Sequence, residues 1–162
     1  MPNRDRPTQS NSLRLLLLLA LVAARPVWAA DIYLPPIAFS PASRDTDFSI
    51  DQGGMGCLRV NRFTGFFIAA LPLSEGSVLE EATVFVEDAN PDALGMMSLA
   101  RRHETAFEVL AVTPPSRGGG EIEALPVSMP ASITSNSGER LLLQVLLTGP
   151  DVCLHGARIK VR

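Results

Sequence analysis

Two cysteines, Cys57 and Cys153, two histidines, His103 and His155, and several short acidic runs are the side chains with the most reactive potential in this 162-residue chain. An even cysteine count in an exported chain reads as a disulfide, and the export signal is argued below. A bridge from Cys57 to Cys153 closes a long loop, which on the chain-entropy estimate adds about 4–5 kcal/mol before strain. The rival readings are a thiol metal site and a catalytic cysteine. A metal site needs more Cys or His than two histidines far apart in sequence provide. Strand alternation puts His155 on the face of Cys153 and Ala157, as a rim or core histidine beside the bridge. His103 sits among Arg101, Arg102 and Glu104 in an expected hairpin turn.

The acidic runs offer oxygen ligands. Asp88, Asn90 and Asp92 alternate like the start of a calcium loop, but the sixth position is Ala93 where that loop needs Gly, and the twelfth is Leu99 where it needs Glu. Asp, Asn and Pro also favour turns for local backbone reasons, which makes this stretch a strand-to-strand turn first and a calcium site second. Asp45, Asp47 and Asp51 flank Phe48 and Ile50, so alternation places the three carboxylates on one face opposite the apolar pair. Such a face could take a cation or sugar hydroxyls. It equally suits a solvated edge strand whose charges deter edge-to-edge pairing.

Motifs for catalysis are missing. The glycine stretches 53–56 and 118–120 lack the Lys-Ser/Thr partner and following helix of a phosphate loop. No Gly-x-Ser-x-Gly elbow and no His-Glu-x-x-His motif is present. Glu80-Glu81 and Glu121/Glu123 are paired acids of a kind common on soluble strands. The expectation is a protein without enzymatic activity and without a resident cofactor, calcium being the one ion the acidic runs would admit. The aromatic inventory is also thin for stacking on sugar rings. Trp28 is the only Trp and lies in the leader, Tyr33 is the only Tyr, and the seven Phe fall mostly on core-like positions.

That leader precedes the elements. Met1–Leu13 is polar and carries Arg4, Asp5 and Arg6, Arg14 follows at its end, and Leu15–Ala24 is an apolar block followed by Pro26-Val27-Trp28-Ala29-Ala30. This is the order of a secretory signal, too short to span a bilayer, which takes about 20 apolar residues. Cleavage after Ala29, with Ala30 second, leaves residues 30–162 as one domain; an uncleaved signal acting as an anchor is the alternative. No twin arginine precedes the block and no Cys sits at the cleavage point, so the expectation is the general secretory route to the periplasm or the exterior, without a lipid anchor. Four of the 14 basic residues and one of the 17 acidic ones leave with the signal. The remainder carries ten basic and sixteen acidic residues, a net charge of −6, which argues against nucleic acid or an anionic membrane as partner.

The exported part is punctuated like an all-β domain, with apolar segments about every 8–12 residues between Gly, Pro, Asn, Asp and Ser. Strands are expected near Ile32–Leu34, Phe48–Ile50, Gly56–Val60, Phe66–Leu71, Glu81–Glu87, Met96–Arg102, Ala106–Thr113, Glu121–Leu125, Ala131–Thr134, Leu141–Leu147 and Leu154–Val161. Ala157, Ile159 and Val161 alternate with Arg158, Lys160 and Arg162, a strand with one face on a core and one in water. Leu141–Leu147 is apolar except at Gln144, as in a central strand covered on both faces or beneath a loop. So many strands in this length, with no helical stripe, give two packed antiparallel sheets: an all-β, jelly-roll-like β-sandwich with one disulfide.

The run Leu34-Pro35-Pro36-Ile37-Ala38-Phe39, the glycine-rich turn before Cys57, Leu71–Val78 leading into Thr83–Glu87, and the ending Cys153–Val161 resemble small exported bacterial β-sandwich proteins of unassigned function. The middle, Glu80–Glu87 followed by Ser98-Leu99-Ala100-Arg101, is similar to jelly-roll modules that accompany secreted carbohydrate-active enzymes. The first likeness implies an exported, non-enzymatic protein with a structural or interaction role. The second implies a carbohydrate- or calcium-binding module, with a glycan or a protein at the cell surface as partner. A small hydrolase is the remaining class, and no motif favours it.

Overall fold

A computed structural model describes residues 29–51, 56–129 and 131–162. The expected leader therefore lies outside the described residues up to Trp28, and its expected cleavage site at Ala29 and Ala30 falls on the first residues described. Twelve strands are present among them: β1 (Ala30–Leu34), β2 (Ser40–Pro41), β3 (Phe48–Ile50), β4 (Leu58–Val60), β5 (Thr64–Ala70), β6 (Val78–Asp88), β7 (Leu94–His103), β8 (Ala106–Val112), β9 (Ile122–Pro126), β10 (Ile133–Thr134), β11 (Glu139–Thr148) and β12 (Val152–Val161). Each strand read from the sequence has its counterpart, and β2 is additional. A single 3-10 turn, Pro36–Ala38, joins β1 to β2. No described helix is long and apolar enough to cross a membrane.

All pairings are antiparallel and form two sheets. The larger has seven strands in the order β10-β6-β12-β4-β3, with β1 beside β12 and β9 beside β6; the smaller runs β2-β5-β11-β7-β8. The hairpin β7–β8 turns on Glu104 and Thr105, with Glu104 at φ 50°. The period of two sends alternate residues to a shared interior. Leu79, Ala82, Val84 and Val86 of β6 meet Phe67, Met97, Leu99, Leu143 and Val145 there. Phe48 packs edge-on against Phe67, ring centroids 5.5 Å apart, a favoured aromatic geometry. In β11 the inward set is Leu141, Leu143, Val145 and Leu147. Its other face carries Leu142, Gln144 and Leu146, of which Gln144 and Leu146 stay partly exposed. β11 is thus central, as its composition suggested, but its second face is not sealed.

The C-terminal strand departs from simple alternation. Leu154 lies opposite Val86 while Gly156 lies opposite Phe85, so His155 is an inserted residue in a β-bulge. Before the bulge Leu154 faces the core; after it Ala157, Ile159 and Val161 do, with Arg158 exposed. The terminal register is as expected. His155, however, shares its face with Cys153 and not with Ala157, because the extra residue reverses the parity. Glycine is required next to it. Gly156 has φ +131°, and a Cβ there would lie 2.5 Å from the Leu34 carbonyl oxygen and 2.7 Å from the Tyr33 hydroxyl, which itself donates to the His155 carbonyl. Any side chain would push β1 off β12.

Cys57 and Cys153 form the expected disulfide, Cα atoms 5.5 Å apart and 96 residues apart in sequence. Leu58 and Leu154 face each other in register and point inward. Their neighbours Cys57 and Cys153 consequently point outward, so the bridge lies on the outer face of the larger sheet.

Candidate functional site

A transverse row crosses the outer face of the seven-stranded sheet at the disulfide. Ile122 of β9 pairs with Glu87 of β6, Glu87 pairs with Cys153 of β12, and Cys153 is bonded to Cys57. Beyond it, the Asp51 amide donates to the Cys57 carbonyl at 2.8 Å. Together with Arg59 and His155 these residues line a cavity of about 260 Å³ whose floor is the disulfide. His155 Nε2 is 3.0 Å from Glu87 Oε2 and 3.4 Å from Cys153 Sγ. The Arg59 guanidinium donates to Cys57 Sγ at 3.1 Å and lies 4.0 Å from Asp51 Oδ2. Alternation sets His155 beside Cys153, where its side chain is only 12% exposed, and the bulge lets both face outward while Ala157 beyond it faces the core. Glu87, Cys153 and His155 are the one group of three or more metal-capable side chains among the described residues.

The other acidic residues are engaged elsewhere. Asp88 is fully buried; its carboxylate accepts from the Asn90 amide at 3.0 Å and from the Ser116 hydroxyl. Asn90 Oδ1 accepts from the Asp92 amide at 2.9 Å, and Asn90 Nδ2 donates to Asp151 Oδ2 at 3.3 Å. The bonds from the Asn90 and Asp92 amides are the side-chain-to-backbone bonds of Asx turns. Asp45 lies in a turn before β3 rather than on it. Asp47 accepts from Asn61 Nδ2 at 2.6 Å and meets Arg62 at 3.7 Å, while Asp51 joins the cavity. The three are thus divided between a turn, the β4–β5 connection and the disulfide cavity. His103 ends β7 in the smaller sheet, opposite Glu139, and His155 is in the larger, so the two histidines are not brought together. Glu80 and Glu81 meet Arg162 and Lys160 at 3.1 and 3.6 Å, and Glu123 accepts from the Arg117 amide.

The outer face of the five-stranded sheet is different in kind. Phe66, Met96 and Leu146 lie in register across β5, β11 and β7, beside Ser98 and Gln144 one pair further along. These five line a shallow depression of about 80 Å³. Phe66 is 52% exposed, and Ser98 Oγ donates to Gln144 Oε1 at 3.2 Å. Val109, Val112 and Phe107 of β8 continue the apolar face toward the sheet edge, each about half exposed. Sequence reasoning missed Glu87, Arg59 and this face. The Cys153-x-His155 spacing was the readable sign of the first cluster; nothing in the sequence points Glu87 at it, 68 residues away.

No family model and no curated protein matches the chain. Solved structures do. The CBM22-1–GH10 modules of endo-1,4-β-D-xylanase 10B from Clostridium thermocellum, complexed with xylohexaose, superpose with a TM-score of 0.56 at 16% identity, over 84% of this chain and 28% of that one. A CBM36-1 domain of a multidomain xylanase from the hindgut metagenome of Trinervitermes trinervoides gives 0.52 at 8% identity, over 82% and 97% of the two chains. The C-terminal CBM6 of LamC, a marine laminarinase from Zobellia galactanivorans, gives 0.50 at 14%, over 80% and 98%. The chain spans about a quarter of the first and nearly the whole of the other two. At these identities the likeness is one of fold: the chain has the jelly-roll sandwich of carbohydrate-binding modules.

Proposed function

We propose that this protein is an exported, non-catalytic module that binds a polysaccharide on the outer face of its five-stranded sheet. The observation that carries the reading is the exposed apolar plate of Phe66, Met96 and Leu146 with the Ser98–Gln144 pair at its margin. A pyranose ring has an apolar face of C–H groups and a rim of hydroxyls. An aromatic plate beside a hydroxyl and an amide matches both, and few well-placed polar groups on an apolar floor are how such sites set orientation. The depression is shallow, which suits one face of a chain that otherwise stays in water. The fold it shares with carbohydrate-binding modules makes this reading stronger than a general structural or interaction role. The disulfide and the leader composition support export by the general secretory route to the periplasm or exterior.

Affinity electrophoresis of the exported protein through gels containing xylan, mixed-linkage β-glucan or β-1,3-glucan tests the binding. Retardation in at least one gel is expected, with Phe66→Ala weakening it about tenfold, the ~1.4 kcal/mol scale of a lost aromatic contact. Free migration in every polysaccharide, or retardation equal in wild type and Phe66→Ala, overturns the assignment. Mass measurement of the intact exported chain should place its first residue at Ala30 or Asp31. Retention of residues 1–29 would favour the membrane-anchor alternative.

A further inference from the structure

The cavity over the disulfide holds a donor set that the oxidised protein does not use. We propose that Cys57, Cys153, His155 and Glu87 form a zinc site in the reduced protein, so that the disulfide and a bound zinc ion are alternative states of the same two sulfurs. Zinc is held by thiolate, imidazole and carboxylate ligands at about 2.0–2.3 Å, and tetrahedral geometry then puts the donor atoms about 3.3–3.8 Å apart. His155 Nε2 already lies 3.4 Å from Cys153 Sγ and 3.0 Å from Glu87 Oε2, the same nitrogen facing both. The donor atoms of Glu87, Cys153 and His155 all fall within 4.8 Å of one another, and Cys57 is brought to the same point by its bond to Cys153. Two thiolates and a carboxylate around one divalent cation leave a net −1. The Arg59 guanidinium, 3.1 Å from Cys57 Sγ, offsets it. The cavity of about 260 Å³ gives the ion a path from solvent.

The chemistry balances with an external dithiol or phosphine as reductant. The S–S bond takes up two electrons and two protons to give two thiols; a dithiol supplies both and becomes its disulfide, while a phosphine supplies the electrons and becomes its oxide with water giving the oxygen and the two protons. Zinc then displaces both thiol protons as the two Zn–S bonds form. Softer thiolate and imidazole donors, with one carboxylate, favour zinc over calcium or magnesium. In the oxidised state only His155 and Glu87 remain as ligands, too few for a closed site.

Cobalt(II) titration of the exported chain, before and after phosphine reduction, reads the site directly. Reduced protein should bind one cobalt ion per chain, with thiolate-to-metal charge-transfer absorption and the visible bands of a tetrahedral ion, displaced by one equivalent of zinc. Oxidised protein should give neither. His155→Gln and Glu87→Gln, each shown by circular dichroism to be folded when oxidised, should weaken cobalt binding at least by the ~10–100-fold that even an outer-shell partner costs. Three results overturn the proposal: reduced, folded protein without the tetrahedral spectrum; an affinity unchanged in both variants; or loss of the strand signal on reduction that zinc does not restore.

Discussion

The outward faces of the two sheets rest on one core and differ almost completely in chemistry. On the seven-stranded sheet the exposed row holds Glu87, Arg59, Asp51 and His155 around a disulfide. On the five-stranded sheet it holds Phe66, Met96 and Leu146, with one hydroxyl–amide pair. The inward residues of the same strands are mostly apolar, with Asp88 at the end of β6 the buried exception. The period of two separates the tasks: one residue set of each strand folds the protein, and the other is free to specialise.

The substitution with the largest expected effect removes what the faces share. Ile159 is fully buried between the sheets, and Ile159→Asp would bury an unpaired carboxylate. The cost, about 5 kcal/mol or more, is comparable to the whole stability of an ordinary domain. Loss of the cooperative melt, together with loss of both polysaccharide retardation and cobalt binding, is expected. A folded Ile159→Asp protein would mean that β12 does not close the core, and the two faces would then not share a scaffold.

Removing the disulfide should affect the faces unequally. Cys57→Ala with Cys153→Ala frees a 96-residue loop, worth about 4–5 kcal/mol on the chain-entropy estimate. Urea unfolding should show that loss, while the folded fraction keeps its polysaccharide affinity within about twofold, because Phe66 and Gln144 lie on the other sheet. Equal loss on both faces would show that the bridge organises the whole sandwich and not only the larger sheet.

The sequence announced these faces unequally too. Strand positions were legible because Gly, Pro, Asn and Asp punctuate the chain and because Ala157, Ile159 and Val161 alternate cleanly with basic residues. The two-residue β2 carries no pattern to read: Ser40 and Pro41 are strand only because they pair with β5. The bulge at His155 was invisible to simple alternation, although a glycine inside a strand pattern is the local sign of one. The cysteine pair was readable from compartment and count. Its partner Glu87 was not, because strand pairing between β6 and β12 is a property of the whole topology. The seven Phe are expected mostly on core-like positions, but Phe63, Phe66 and Phe107 are half or more exposed. Adjacent Phe66 and Phe67 must point to opposite faces, and the sequence does not say which face is the core.

The smallest expected effect concerns calcium, and it separates both faces from the acidic turns. Asp88, Asn90 and Asp92 satisfied the first half of a calcium-loop pattern. Asp88 is buried and already accepts from the Asn90 amide and the Ser116 hydroxyl, while Asn90 Oδ1 accepts from the Asp92 amide. Coordination would require breaking those bonds, and calcium takes 6–8 oxygens that this turn does not gather. Asp45, Asp47 and Asp51 are divided among separate surroundings, Asp47 beside Asn61 and Arg62 and Asp51 beside Arg59. Two basic neighbours oppose a cation there. A ligand at a hundred times its dissociation constant stabilises by about 2.7 kcal/mol, a shift of several degrees in melting temperature for a domain of this size. The melting temperature in millimolar calcium should therefore match that in chelator, for wild type and for Asp88→Asn and Asp51→Asn alike. A calcium-dependent rise abolished by Asp88→Asn alone would place a cation in the β6–β7 turn, and one abolished by Asp51→Asn would extend the ligand chemistry of the disulfide cavity to its far wall.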